Sequence, residues 1–210
     1  MDKRFWAIVV VIVALFAGIL YVSGNKKDDN SGSSTSAKPT NHIKGNASSK
    51  VKFVEYGDFQ CPYCGQYYPI VSQVVTKYQD KISFQFINLP LNQIHQNAYA
   101  GARAAEAASD QGKFWEMYDM LYQKQSEWSE ATNANTYLNS YAQQLGLDVN
   151  KFKKDFASSA VNDRINADKE KFNKTGDQIS TPTFYLNGKK IQATSVDEFS
   201  KLIDAQLKKS

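Results

Sequence analysis

Two cysteines carry the chemistry that this sequence offers. Cys61 and Cys64 are the only cysteines among the 210 residues, and Pro62 and Tyr63 stand between them. A thiol pair at this spacing can close an intramolecular disulfide and exchange it with a second pair of thiols. Because the thiolate is the attacking species in such an exchange, the surroundings of each sulfur decide its role.

The residues around the pair predict where each sulfur lies. The β-branched and aromatic run 51–56 predicts a short buried strand, and the stretch from Pro62 to about residue 78 predicts a helix. Cys61 would then lie at the helix N-terminus, where unpaired N–H groups and the helix dipole favour a thiolate. We therefore predict that Cys61 is the exposed attacking sulfur. Cys64, one turn further along, would be the buried resolving sulfur.

Two other interpretations of the cysteine pair stay open. The pair could supply two zinc ligands, but a closed zinc site needs four, and His42, His95 and scattered carboxylates show no matching spacing. The pair could also form a purely structural disulfide, although so short a loop removes little entropy from the unfolded chain. The sequence favours redox chemistry over both.

An acidic residue precedes the pair in the predicted strand. Glu55 lies six residues before Cys61, and in so apolar a strand its side chain should point towards the core. Burial would raise its pKa, so that it could act as a proton acceptor for the Cys64 thiol. The alternative is a solvated glutamate at a strand edge. Asp58 is predicted to be a turn residue, and His95 a polar residue at a helix start.

The rest of the folded part predicts an α/β domain over residues 50–210. Residues 81–87 alternate as a second strand and complete a strand–helix–strand unit with parallel strands. Residues 94–172 are helical in pattern, which predicts an all-helical insertion over about 92–176. Asn187-Gly188 predicts a hairpin, and Ser195 with Glu198 forms a capping box that opens a final helix.

The N-terminal part has a different composition. Residues 5–22 carry no charge and would span about 27 Å as a helix, close to the thickness of a bilayer core. We predict a cytoplasmic stub and transmembrane anchor over residues 1–24, with a cleaved signal peptide as the alternative. Residues 25–49, rich in Ser, Asn, Lys and Gly, predict a disordered linker.

The overall charge argues against a nucleic-acid partner. The chain has 25 basic and 21 acidic residues, a net charge of +4, with no clustered basic run in the folded part. Two cysteines are also too few for a scaffold held together by disulfides. A redox role thus explains the cysteine pair better than a structural role in holding the fold together.

Four segments in this order resemble the DsbA-like thiol–disulfide oxidoreductases, especially the membrane-tethered forms of Gram-positive bacteria. They are residues 53–64 with Cys-Pro-Tyr-Cys, residues 102–108, residues 111–118 and residues 181–184. The resemblance covers roughly residues 50–210. It implies a thioredoxin-like fold with an inserted helical subdomain.

The resemblance also implies roles for particular residues. Cys61 would be the surface nucleophile and Cys64 its partner, with Glu55 as the buried acid beneath them. Pro182 would be a cis-proline packed against the disulfide with Thr181 beside it, whereas base rates alone favour a trans proline at a strand start. We predict no cofactor, and no metal site either, because no stretch has the ligand spacing of an EF-hand loop.

The activity implied by the resemblance is the introduction of disulfides into exported proteins. The enzyme would be anchored in the cell membrane with its catalytic domain outside, or secreted if the anchor is cleaved. It would be re-oxidised by a membrane quinone-linked protein or by external oxidants. Many members carry histidine where this chain has Tyr63, which leaves the direction of electron flow open. A reductase or isomerase is one alternative, and a surface-tethered chaperone or binding module is another.

Overall fold

The structure is a computed structural model, and it describes residues 37–209. The predicted anchor at residues 5–22 and the start of the predicted linker lie outside that range. Between residues 37 and 209, no helix is both long and apolar enough to cross a membrane.

The described residues contain five strands and eight helices, and all but the first strand follow the predicted order. They are β1 (His42–Gly45), β2 (Lys52–Gly57), α1 (Pro62–Lys77), β3 (Ser83–Asn88), α2 (Ala98–Ser109), α3 (Phe114–Gln123), α4 (Gln125–Trp128), α5 (Ala134–Gln144), α6 (Val149–Phe156), α7 (Ser159–Asn173), β4 (Thr183–Leu186), β5 (Lys189–Ile191) and α8 (Val196–Leu207). Helices α2 to α7 all lie between β3 and β4. The predicted helical insertion is therefore confirmed.

The strands form one sheet in the order β1-β3-β2-β4-β5, with β2 in the middle. Strands β2 and β3 are parallel, as the strand–helix–strand prediction requires, while β4 runs antiparallel to β2. In this register Glu55 lies between Phe86 on one side and Phe184 on the other. The central strand β2 therefore ends directly before the turn that carries the cysteine motif, in the middle of an apolar sheet.

Strand β1 corrects the predicted linker. It lies inside the stretch 25–49 and pairs antiparallel with β3, so the prediction of disorder is wrong for this part. The ring of His42 stacks on Phe114 with centroids 3.4 Å apart, and its Nε2 lies 2.7 Å from Glu106 Oε1. Just before the strand, both the N–H and the hydroxyl of Thr40 donate to Asp168 at 2.7 Å. These partners stabilise a polar segment whose own composition cannot bury a core.

The hairpin and the last helix follow their local signals. Asn187 and Gly188 both have positive φ, at 49° and 76°, as the tight turn between β4 and β5 requires. At the start of α8, the Ser195 hydroxyl accepts the Glu198 N–H at 3.3 Å. The predicted hairpin is confirmed, and so is the Ser195 half of the capping box. The Glu198 carboxylate accepts the Thr194 N–H at 2.7 Å in place of the Ser195 N–H.

The helical insertion packs directly against the turn that carries the cysteines. The ring of Phe59 lies 5.0 Å from that of Phe86 and 5.1 Å from that of Tyr122, on α3. On α2, a Cβ at Gly101 would come within 2.7 Å of the Trp128 ring and 3.1 Å of Phe59 Cβ. This close approach fixes the turn between the sheet and the insertion.

Candidate active site

The redox motif lies at the strand-to-helix junction, where the sequence places it. Cys61 is the N-cap of α1 with φ −60° and ψ 122°, and Pro62 occupies the first helical position. The Cys61 N–H donates to the Asp58 carbonyl at 3.1 Å, and the Cys61 carbonyl accepts the Gly65 N–H at 3.1 Å. Both cysteines are free thiols, so the structure describes the reduced pair.

The environment of Cys61 stabilises a thiolate. A hydrogen bond from the Cys64 thiol makes the largest contribution, and Thr181 and the N–H groups of Cys64 and Tyr63 add smaller ones. Together they outweigh partial burial and lower the pKa of Cys61 from 9.0 to about 6. At neutral pH the sulfur is therefore mostly ionised. The prediction of an exposed sulfur is wrong in degree, because Cys61 is only 4% exposed. Cys61 is covered by residues distant in the sequence, such as Thr181, and the motif alone does not predict them.

Cys64 has the opposite character. The residue is 0% exposed, and burial raises the pKa of its thiol well above 9.0, helped by its hydrogen bond to Cys61 and by the charges of Cys61 and Glu55. The Asp58 N–H, 3.5 Å from Cys64 Sγ, opposes that shift. Two thiols within one helical turn thus differ strongly in proton affinity.

Glu55 lies in the core without a hydrogen-bond partner on either carboxylate oxygen. It is 1% exposed, so the alternative of a solvated glutamate at a strand edge is wrong. Burial raises the pKa of Glu55 from 4.5 to about 8. The carboxyl is therefore protonated through most of the neutral range and close to exchanging its proton there.

A loop distant in the sequence closes the other side of the motif. The Thr181–Pro182 peptide bond is cis, as the resemblance implied and the base rates did not. The Thr181 carbonyl oxygen lies 3.5 Å from Cys61 Sγ and accepts the S–H when Cys61 is protonated. Tyr63, by contrast, is 65% exposed and presents its ring to solvent beside the nucleophile.

Sequence reasoning missed the partnership of Asp58 and His95. The Asp58 carboxylate accepts the Gln60 N–H at 2.8 Å, the Leu91 N–H at 3.0 Å and a hydrogen bond from His95 Nδ1 at 2.7 Å. Asp58 is thus the predicted turn residue and also links the motif to the loop after β3. Its bond to the N–H two residues on is an Asx turn, a local signal that the sequence did contain. His95 precedes α2 and gave no such signal.

A tyrosine of the insertion reaches the same interior. Tyr122, on α3, has a buried hydroxyl without a hydrogen-bond partner. Burial and the charges of Cys64 and Glu55 raise the pKa of this tyrosine well above 10.0. A Cβ at Gly57 would meet its oxygen at 3.1 Å and the Phe86 ring at 2.4 Å. Gly57 therefore makes room for both rings over the strand that carries Glu55.

No metal-ligand set surrounds the cysteines in the part of the chain that the structure describes. Among residues 37–209, no group of three or more His, Cys, Asp or Glu side chains is arranged to hold a metal ion. Cys61 and Cys64 instead contact each other, the Thr181 carbonyl and the Asp58 N–H. These contacts fit thiol exchange.

Comparison with known proteins identifies the same class. A family model described as thioredoxin matches residues 37–205. A probable disulfide bond formation protein D of Bacillus anthracis is 32% identical over 207 residues, which are 95% of this chain and 93% of that protein. A Na(+)/H(+) antiporter NhaA 1 of Salinispora arenicola is 40% identical over 153 residues, or 71% of this chain. The chain spans only between 22% and 26% of the first antiporters that it matches.

Solved structures show the same fold. BdbD of Bacillus subtilis in its oxidised form has a TM-score of 0.71 at 23% identity, covering 82% of this chain and 97% of that one. Wolbachia pipientis alpha-DsbA1 has a TM-score of 0.72 at 19% identity, covering 81% and 92%. The fold and the dithiol site are those of a thioredoxin-fold redox protein. The chain belongs to the thioredoxin family, among the DsbA-like thiol–disulfide oxidoreductases.

Proposed function

We propose that this protein works outside the cytoplasm and introduces disulfides into exported proteins through the Cys61–Cys64 pair. The observation that carries the proposal is the opposite shift of the two thiols, with the Cys61 pKa lowered to about 6 and the Cys64 pKa raised by burial. A stabilised Cys61 thiolate favours the reduced form of the enzyme. The disulfide is correspondingly more oxidising than it would be if Cys61 had an ordinary thiol pKa.

The first step is attack on the enzyme disulfide. A substrate thiolate attacks Cys61 Sγ, the Cys61–Cys64 bond breaks, and a mixed disulfide between substrate and Cys61 forms. Cys64 leaves as a thiolate in an apolar interior, which is costly unless it gains a proton. Glu55, protonated at neutral pH because its pKa is about 8, supplies that proton.

The second step releases the product. The second thiolate of the substrate attacks the substrate sulfur of the mixed disulfide, which closes the substrate disulfide and expels Cys61. Cys61 leaves as the thiolate that its hydrogen bonds stabilise. Two electrons have then moved from the substrate dithiol to Cys61 and Cys64.

Re-oxidation runs the same chemistry in reverse. The Cys61 thiolate attacks the disulfide of an oxidant, for which we propose a membrane quinone-linked protein. Glu55 as a carboxylate then takes the proton of Cys64. The Cys64 thiolate attacks Cys61 Sγ in the mixed disulfide, which breaks the bond to the oxidant, expels the oxidant's sulfur as a thiolate and restores the enzyme disulfide. In this direction Glu55 is the proton acceptor that the sequence suggested.

We also propose that residues 5–22 anchor the protein in the cell membrane with the catalytic domain outside. The composition of this segment supports the anchor, and the match to disulfide bond formation protein D extends over 95% of the chain. Fractionation of cells expressing the full chain should recover it with membranes. Recovery in the medium would instead support a cleaved, secreted form.

The decisive experiment is a redox titration combined with cysteine variants. The equilibrium with glutathione should give a potential nearer to the roughly −120 mV of DsbA than to the roughly −270 mV of thioredoxin. A value near that of thioredoxin would overturn the oxidase direction in favour of a reductase. Cys61→Ser should abolish oxidation of a reduced, unfolded substrate. Oxidative folding that continues with this variant would point to a binding or chaperone module.

A further inference from the structure

A glutamine of the helical insertion holds the backbone of the redox motif. Gln125 is the first residue of the short helix α4, and its Nε2 donates to the Phe59 carbonyl at 2.8 Å and to the Cys61 carbonyl at 2.9 Å. The carbonyls on both sides of Gln60 are thereby tied to one amide group. The second of them belongs to the nucleophile itself.

Gly65, in the first turns of α1, leaves room for this amide because it has no side chain. A Cβ at Gly65 would lie 2.4 Å from Gln125 Oε1, 3.0 Å from its Cδ and 3.2 Å from its Nε2. A side chain at this position would push the amide away from the two carbonyls, since contacts below 3.0 Å force something to move. Gly65 and Gln125 therefore fit each other.

A second amide makes the reciprocal contact. Gln60, within the turn, donates from Nε2 to the Ser129 carbonyl at 2.6 Å and accepts the Asn97 N–H on Oε1 at 2.6 Å. The turn holds the insertion through Gln60, and the insertion holds the turn through Gln125. Residues that lie more than 30 positions away thus help to hold the conformation of the turn.

We propose that Gln125 is a positioning residue for thiol exchange, which holds the Cys61 backbone so that its sulfur stays against the N-terminal N–H groups of α1. The inference rests on the proposed role of Cys61 as the nucleophile. The Cys61 carbonyl accepts from Gln125 on one side and from the Gly65 N–H at 3.1 Å on the other, which fixes ψ at 122°. Without the amide, the peptide between Cys61 and Pro62 is freer to rotate, and the sulfur moves relative to the N–H groups of Tyr63 and Cys64.

The test replaces the amide without adding charge. Gln125→Met keeps the length of the side chain and removes both donors. Gln144→Met is the matched control, because Gln144 is exposed on α5 and its Nε2 contacts only Ser140 Oγ at 3.1 Å. The readout is the pKa of Cys61 in the reduced full-length protein, followed by thiolate absorbance against pH. Cys64 does not interfere, because burial holds its pKa well above 9.0.

We expect Gln125→Met to raise the measured pKa of Cys61 by about one pH unit, since two hydrogen bonds that hold the N-cap conformation are lost. At pH 7 such a shift makes the disulfide about fivefold less oxidising in its equilibrium with glutathione. Gln144→Met should leave both values at those of the wild type. A loss of stability alone would change the melting temperature and leave both values unchanged.

Gly65→Ala is the second, independent variant, and it serves if Gln125→Met does not fold. It leaves Gln125 in place but drives its amide off the carbonyls, so the Cys61 pKa should rise in the same direction. Folded variants whose Cys61 pKa equals that of the wild type would overturn the inference while leaving the proposed function intact. An ordinary Cys61 pKa in the wild type would overturn the proposed role of Cys61 itself.

Discussion

Glu55 and Asp58 are two buried acids three residues apart, and they differ in how many hydrogen bonds their carboxylates accept from the protein. Asp58 accepts hydrogen bonds from the N–H groups of Gln60 and Leu91 and from His95 Nδ1. Glu55 accepts none, although it is as completely buried. Both residues stand in the sequence just before the same cysteine pair.

The difference separates a structural acid from a reactive one. Hydrogen-bond donors around Asp58 replace the water that its carboxylate lost on burial. Because these donors lie both in the active-site turn and in the loop after β3, Asp58 links the two segments. Nothing replaces the water around Glu55, and burial moves its pKa to about 8. A group with this proton affinity, whose charge also raises the pKa of Cys64, can exchange a proton during each disulfide exchange.

Removing the structural acid should have the largest effect on stability. Asp58→Ala leaves two buried N–H groups and His95 without their acceptor, which should cost about 3 kcal/mol of unfolding free energy. Urea unfolding of the reduced protein at pH 7 measures this loss. Asp163→Ala, at an exposed position on α7, is the control and should change little. Equal losses for the two variants would contradict a special role for Asp58.

Removing the reactive acid should instead reduce the rate. Glu55→Gln cannot supply or accept the proton of Cys64, so oxidation of a reduced two-cysteine peptide at pH 7 should slow by about 10²-fold. Stopped-flow fluorescence under single-turnover conditions isolates this step. Glu116→Gln removes an exposed carboxylate of α3 and should keep the wild-type rate. A wild-type rate for Glu55→Gln would show that Cys64 finds its proton elsewhere.

The same substitution should stabilise the fold in a defined pH window. The native pKa of Glu55 is raised to about 8 from 4.5, so the contribution of Glu55 to stability is highest below pH 4.5 and falls as the pH rises towards 8. Glu55→Gln does not titrate. Its advantage should therefore grow by about 2 kcal/mol between pH 5 and pH 7 and level off above pH 8. A constant difference between the two proteins across this window would refute the buried neutral acid.

The smallest effect should come from the histidine partner of Asp58. His95→Ala removes one of three donors, and the two backbone N–H groups remain, so the loss should be about 1 kcal/mol. Thermal unfolding compared with Asp58→Ala and with the double variant measures the coupling between the two residues. Independent, additive losses would show that the bond between them contributes nothing to stability.

Local patterns predicted the framework of the site well. The β-branched strand, the proline at the helix start and the spacing of the cysteines place Cys61 as an N-cap and Cys64 one turn further along. Propensity and capping act between residues close in the chain, which is why these positions were predictable. Asn187-Gly188 succeeded for the same reason, since positive φ is a property of the turn residues themselves.

The surroundings of the motif could not be predicted in this way. Three features depend on residues that contact the turn only after folding. They are the near-complete burial of Cys61, the donors on Asp58 and the hydrogen bonds from the Gln125 amide. Strand β1 could not be told from linker, because its partners on β3 and α2 lie far along the chain, as does the α7 partner of the preceding Thr40. The cis form of the Thr181–Pro182 bond followed from the family resemblance and not from the residues alone.

The sequence by itself thus determined that two thiols lie at a strand-to-helix turn with a carboxyl six residues before the first. Only the tertiary structure decided which acid receives donors and which remains unpaired, and so which of them can move a proton. The physical reason is that a backbone conformation depends on neighbours a few residues away. The pKa of a buried side chain depends on every group around it, and here those groups come from other strands, helices and loops.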